Sequence, residues 1–255
     1  MPERTWDNLW KGFNGVKFSD STYMLRFYEL LLGTSNFKGK NILEIGCGTG
    51  INSILMAKKG ANITLIDSSK EALKVAKSIL ENLSLDAEIV YGDVFEYDFK
   101  GEYDIVHSEG LVEHFLGKKR QKIFDIHTMA AKRNGRVVII APNSSCLPYR
   151  IGKFFAEKTK TWAHGAEYPF TRNEFVFRIK RSGLEMERLM GGEFVLGFGW
   201  LFTPIWISSY TKLLNKGLRV SANGAFFHMN YNNFLANRFG RVIGAVGIKS
   251  PRNTD

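Results

Sequence analysis

The stretch Leu43-Glu44-Ile45-Gly46-Cys47-Gly48-Thr49-Gly50 constrains this chain more than any other. An apolar run over Lys40–Gly46 reads as a buried strand, and it breaks into glycines at alternate positions before a helical pattern begins at Ile51. Glycine lets a strand turn tightly into a helix and lets a ligand approach the main chain without meeting a Cβ. The carboxyl edge of a parallel sheet is also where open α/β folds bind their ligands. Spacing removes two well-known glycine loops. The dinucleotide fingerprint needs a glycine where Ile51 stands, and the phosphate loop needs Gly-Lys-Ser/Thr, which is absent. What remains is an acid, Glu44, followed by Gly46, Gly48 and Gly50.

The pattern around that turn alternates strand and helix. Ile51–Lys59 reads as a helix, Ala61–Asp67 as a strand, and Ser69–Leu83 as a helix with Leu73, Ala76, Leu80 and Leu83 on its apolar face. Ser68 or Ser69 is the expected N-cap, with Glu71 in the first turn. Ala87–Tyr91, Tyr103–His107 and Arg136–Ala141 add strands, and Lys119–Ala131 adds a helix between the last two. Such alternation implies a parallel sheet covered on both faces. Thr171–Arg181 reads as a helix with a Thr171/Glu174 capping box, followed at Leu184 by a sixth strand. Arg241–Lys249 reads as the closing strand.

The motifs resemble those of the class I S-adenosylmethionine (SAM)-dependent methyltransferases, strongly over about residues 40–145 and more loosely over 165–190. The resemblance implies a Rossmann-like, seven-stranded α/β sheet, mostly parallel with an antiparallel last strand. It implies that the loop of Glu44, Gly46, Cys47, Gly48 and Gly50 packs on the methionine part of SAM. Asp67, with Ser68 beside it, stands where that family binds both ribose hydroxyls, and one carboxylate can accept from two adjacent hydroxyls. Asp93 and Val94 stand where the adenine is met, and Ser108 in the motif after strand four (His107–Phe115) completes the cofactor set. Taken singly, Asp67 and Asp93 could be cap or turn acids and Glu44 an exposed strand residue. Together at successive strand ends they favour a cofactor site.

Methyl transfer from a sulfonium needs a desolvated, aimed acceptor and sometimes a base. Glu113, His114 and His164 are the candidates. Glu113-His114 is also read as a structural pair, and His164 as an ordinary loop histidine. Glu109 stands four residues before Glu113, so a helix would put both on one face. A Glu109/Glu113/His114 metal group, as suspected for some quinone O-methyltransferases, would have its glutamates four apart where those relatives have three. No metal is expected.

The whole chain, 1–255, reads as one domain: an aromatic N-terminal cover (1–38), a cofactor core (39–145), and substrate-side insertions (146–182 and 191–235). Trp6, Trp10, Phe13, Phe18, Tyr23, Phe27 and Tyr28 either cover the cofactor pocket or bury against the sheet. Phe194–Thr211 carries no charge, and Lys212, Lys216 and Arg219 follow it. Pro204, the glycines and the length argue for a lid or a membrane-surface contact through 194–219 over a span. A net charge of +10 suits an anionic partner, but Ser108-Glu109-Gly110-Leu111 lacks the Asn/Asp-Pro-Pro-aromatic motif of base-methylating enzymes, so nucleic acid is not the expected partner. Two cysteines and no apolar leader at the N-terminus suit a cytoplasmic protein, peripheral to a membrane where that contact operates. The expected activity is methylation of a small, lipophilic or quinone-like molecule. A non-catalytic SAM-binding protein is the other reading, and oligomeric state is left open.

Overall fold

Strands whose residues are apolar on both sides become the centre of one sheet. In the computed structural model, which describes residues 3–11, 23–202, 229–231 and 233–250, β1 (Asn41–Ile45), β2 (Asn62–Asp67), β3 (Glu88–Tyr91), β4 (Tyr103–Glu109), β5 (Ala131–Pro142), β6 (Leu184–Gly192) and β7 (Val242–Lys249) lie in the order β3-β2-β1-β4-β5-β7-β6. The first five run parallel, and β7 is antiparallel to both of its neighbours. This is the mostly parallel, Rossmann-like arrangement with an antiparallel last strand. Phe13, Phe18, Lys212, Lys216, Arg219 and the second half of Phe194–Thr211 fall outside the described residues.

Helices cover both faces. α2 (Tyr23–Leu32), α3 (Ile51–Ala57) and α4 (Lys70–Leu83) bury Phe27, Leu31, Leu55 and Leu73 on one face. α5 (Gly117–Ala130) and α7 (Arg172–Arg181) bury Ile123, Phe124, Phe175 and Ile179 on the other. α1 (Glu3–Trp10), α6 (Leu147–Lys158), α8 (Phe194–Phe198), α9 (Phe234–Phe239) and two 3-10 turns (Val112–His114 and Gly199–Phe202) are also described. None of the described helices is long and apolar enough to cross a membrane.

Caps follow the sequence closely. Ser69, not Ser68, caps α4 by accepting from the Ala72 N–H. Thr171 caps α7 by accepting from the Glu174 N–H. The Glu174 carboxylate, however, goes to Arg120 rather than back to the cap. β5 starts at Ala131, five residues earlier than the apolar pattern shows, because Lys132–Gly135 forms an irregular polar turn that still pairs Ala131 with Tyr103. Asn134 takes a left-handed conformation there.

The turn after β1 is the tightest element. Gly46, Gly48 and Gly50 all have φ between 53° and 65°. A Cβ on Gly50 would stand 2.7 Å from Leu65 Cδ1 in the core. Gly50→Ala therefore combines backbone strain with overpacking, and urea unfolding should show a loss on the order of 1–3 kcal/mol. A variant as stable as the parent would show that the turn relaxes freely.

Candidate functional site

The carboxyl ends of β1, β2, β4 and β5 open into one cavity of about 920 Å³. Glu44, Gly46, Cys47, Gly48, Asp67, Ser68, Asp93 and Val94 line one end of it. Two residues expected there do not reach it. Gly50 caps α3 instead, against Leu65. Ser108 points to the opposite face of the sheet, fully buried, with its hydroxyl 2.8 Å from His127 Nε2. Alternation along β4 is the cause: its neighbours His107 and Glu109 take the other side.

Asp67 ends β2 and ties two loops together. Its Oδ2 accepts from the Gly48 N–H at 2.7 Å and its Oδ1 from the Ser69 N–H at 2.8 Å. The Ser68 N–H donates to it as well, and a carboxylate has about four acceptor positions, so one is left for the cavity. Burial raises its pKa above the ordinary value despite these donors. Asp93 is exposed and accepts from the Phe95 N–H at 2.8 Å, so its turn role and its place on the wall coexist.

α1 closes this end from above. Asp7 accepts from the Ser69 hydroxyl at 2.7 Å, which latches α1 to the start of α4. Trp6 meets His114 edge-on at 4.8 Å, and a Cβ on Gly48 would come within 3.1 Å of Trp10. The N-terminal aromatics thus divide: Trp6 and Trp10 wall the cavity, whereas Phe27 and Tyr28 are core.

Glu44 is 5% exposed, and burial pushes its pKa to about 8. The Ser53 side chain and backbone N–H donate to it, while its Oε2 has no partner. Behind Ser53, His107 Nε2 lies 2.8 Å from the hydroxyl and Nδ1 lies 3.1 Å from the Tyr28 hydroxyl. Burial drives His107 down to about 3, so the ring is neutral. A neutral imidazole donates at one nitrogen and accepts at the other. With the carboxylate ionised, the donors therefore run in one direction, from Tyr28 through His107 and Ser53 to Glu44.

The other end of the cavity is an aromatic and acidic chamber. Tyr149 and Trp200 meet edge-on with centroids 5.5 Å apart, and His164 stands at the exposed rim 6.2 Å from Trp200. Glu113, on a 3-10 turn (Val112–His114), is buried with Oε2 unpartnered, and burial holds its pKa well above the ordinary range. Glu167 accepts from the Tyr149 hydroxyl at 2.6 Å. His114 Nδ1 lies 2.8 Å from the Ala166 carbonyl, which can only accept, so Nδ1 carries the proton. Burial lowers the His114 pKa, leaving a neutral ring whose Nε2 is its acceptor. The loop that bears Glu167 is clamped by buried Arg120, which donates to the Tyr168 and Phe115 carbonyls and to Glu174.

The helix expected to align Glu109 with Glu113 does not exist. Glu109 is the last residue of β4 and accepts from the Asn52 amide at 3.0 Å. Among the described residues, the side chains close enough to share a cation, all within 4.8 Å, are Glu113, His114 and Glu167. Tyr149, Glu167, Trp200, Asn52 and Arg241 belong to the wall and were not legible as site residues in the sequence. Glu167 sits three residues after the candidate His164, on the same loop. Arg241 read only as the start of a strand, yet it reaches in beside Glu193 and Trp200.

Glu44 binds its proton more tightly in the folded chain than in the unfolded one. Its contribution to stability is therefore present below about pH 4.5 and is lost as pH rises toward about 8. Relative to the parent, Glu44→Gln should gain stability between pH 5 and 8, by at most about 1.4 kcal/mol per pH unit. Urea unfolding across that range checks it, and a pH-independent difference would mean the carboxyl is ionised throughout.

Residues 42–135 match the family model described as a methyltransferase domain. The mitochondrial ubiquinone biosynthesis O-methyltransferase of Schizosaccharomyces pombe is 32% identical over 142 residues, 53% of this chain and 50% of that protein. The chain thus spans half the length of that relative. The ubiquinone biosynthesis O-methyltransferase of Pelagibacter ubique is 25% identical over 192 residues, 71% of this chain and 76% of that one. Magnesium protoporphyrin IX methyltransferase from Synechocystis PCC 6803, solved with bound SAH, superposes with a TM-score of 0.60 at 16% identity, covering 97% of this chain and 94% of that one. At that identity the likeness is one of fold. Residues 42–135 are therefore similar to a methyltransferase domain, and the chain has a fold shared with methyltransferases of solved structure.

Proposed function

We propose that this chain transfers a methyl group from SAM to a small, lipophilic acceptor of quinone-like or phenolic type. The observation that carries the reading is the continuity of one cavity from the Asp67 edge to the chamber of Tyr149, Trp200, Glu113 and Glu167. The residues at the first end fit the cofactor. Asp67 keeps an acceptor position for the ribose hydroxyls, and Glu44 Oε2 is a buried acceptor without a partner. The left-handed Gly46 and Gly48 leave the main chain open to the methionine part. Bound there, SAM supplies a methyl group already activated on a sulfonium centre for in-line displacement.

The chain's own task is to hold and desolvate the acceptor. Tyr149 and Trp200 offer faces for a planar ring, and α1 shields the opposite side from water through Trp6 and Trp10. His114 is the candidate base, because its neutral ring presents Nε2 while Ala166 fixes Nδ1. Glu113 and Glu167 stand beside it, both held above the ordinary carboxyl range by burial, with His164 at the rim. The names of the curated relatives support an oxygen acceptor of ubiquinone-related chemistry.

SAM labelled on its methyl group, incubated with the chain and a cell extract, should deliver label to the organic phase. Asp67→Ala should abolish it and weaken binding of S-adenosylhomocysteine at least tenfold. Label confined to the aqueous phase would remove the lipophilic acceptor, and none in either phase would leave a SAM-binding protein without turnover. With the acceptor in hand, His114→Ala should lower kcat about 10²–10⁴-fold at unchanged S-adenosylhomocysteine affinity. Unchanged turnover would exclude His114 as the base.

A further inference from the structure

α6 is amphipathic in the reverse of the usual sense. Its inward face is made by Tyr149, Gly152, Lys153 and Ala156, all buried. Its outward face carries Leu147, Ile151, Phe154 and Phe155, each between 46% and 62% exposed. At 100° per residue these four fall within one arc, together with exposed Arg150 and Lys158. A surface helix ordinarily turns its charges outward and its large apolar side chains inward. Here the solvent side combines four large apolar groups with two cations whose stems can lie along them. Lys158 Nζ already sits 5.7 Å above the Phe154 ring.

The same composition recurs next door. α8 packs against both α6 and α9. α9 exposes Phe234, Leu235 and Phe239, with Arg238 over the Phe239 ring. Gly152 brings the 3-10 turn against α6 so closely that a Cβ there would stand 1.9 Å from the Trp200 carbonyl oxygen. α6 is therefore pinned by its inner face to the wall of the chamber, through Tyr149 and Trp200, while its outer face is offered to something apolar.

We infer that the outer face of α6, extended by α9, docks on the surface of an anionic lipid bilayer. Apolar side chains interleaved with arginine and lysine suit the boundary between acyl chains and headgroups, where the rings enter the hydrocarbon and the cations stay at the phosphates. Charge decides against a second copy of this chain. A two-fold contact would bring the Arg150 and Lys158 of both copies into one interface, and each copy carries a net charge of +10. An anionic surface instead complements both the local cations and the overall charge. Segment 147–161 holds four basic residues and one acid, Glu157, which is itself paired with Lys153. The placement would set the chamber beside the lipid in which an apolar acceptor dissolves. The docking is nonetheless independent of methyl transfer, because a bilayer is bound or not whatever the acceptor.

The full chain should co-sediment with vesicles of phosphatidylcholine containing a minority of phosphatidylglycerol, far less with phosphatidylcholine alone, and less as salt is raised. The double variant Phe154→Gln/Phe155→Gln and the double variant Arg150→Gln/Lys158→Gln should each lower apparent vesicle affinity at least tenfold. Both should keep the parent's affinity for S-adenosylhomocysteine, which verifies their fold. Failure of the parent to sediment, or variants that bind as well as the parent, would overturn the inference. So would a dimer of the parent in sedimentation velocity that Phe154→Gln/Phe155→Gln abolishes, since the face would then belong to a second copy. Loss of S-adenosylhomocysteine binding by the parent would count against the cofactor reading alone.

Discussion

The two oxygens of Asp67 hold the cofactor edge in its shape. One accepts the Gly48 N–H from the turn after β1, the other the Ser69 N–H from the start of α4. Those donors lie in the loops after β1 and β2, so this carboxylate, together with the Gly46 and Cys47 N–H bonds to the Ile66 carbonyl, fixes the gap between the two loops. Left-handed glycines make the first donor available, because a turn with φ near 60° at Gly46 and Gly48 aims the N–H sideways toward β2. From that cross-link follow the path of α3, the capping of α4 by Ser69, and through the Ser69 hydroxyl the seat of α1 on Asp7. The roof of the cavity thus depends on the same carboxylate as its floor.

Around this edge the structure accepts costs that an inert core would avoid. Glu44, Glu109 and Glu113 all have pKa values raised by burial, and Glu44 and Glu113 each leave an oxygen without a partner. Buried polar groups without partners oppose folding, and several titratable groups shifted by desolvation in one cavity are a mark of functional sites. The supporting groups behind them are fully satisfied by contrast. Tyr28, His107 and Ser53 form a continuous hydrogen-bonded chain beneath Glu44, and Arg120 uses three of its nitrogens beneath the Glu167 loop. Unmet capacity faces the cavity, and rigidity lies behind it.

Local sequence signals were enough where geometry depends on neighbours in the chain. The glycine turn, the acids at the ends of β2 and after β3, and the caps at Ser69 and Thr171 depend on spacings of a few residues and could be read directly. What escaped depends on direction or on distant partners. Ser108 and Glu109 belong to one strand end, and only the register of β4 between β1 and β5 decides which of them faces the cavity. Glu109 could be placed on a helix face only by assuming a helix, whereas the strand runs two residues past His107 before it turns. Tyr149, Glu167, Trp200 and Arg241 come from four segments spread over more than ninety residues. No spacing rule joins them, because it is the crossing of α6, the 166–170 loop, the 3-10 turn and β7 that brings them together.

The pieces after β5 also explain why charge was ambiguous when read as a total. A net +10 suits nucleic acid and anionic lipid alike, and only the location of the cations separates the two. Nucleic-acid recognition pairs basic groups with polar or stacking surfaces along a groove. On α6 and α9 the cations stand instead among leucine, isoleucine and phenylalanine side chains that share their outward arc. The inward arc of α6, meanwhile, gives Tyr149 to the chamber. One helix therefore meets two environments, and its apolar outer residues are each at least 46% exposed, outside the buried core. Their place on the solvent side finds its reason outside the fold in a lipid surface, which the charge also satisfies.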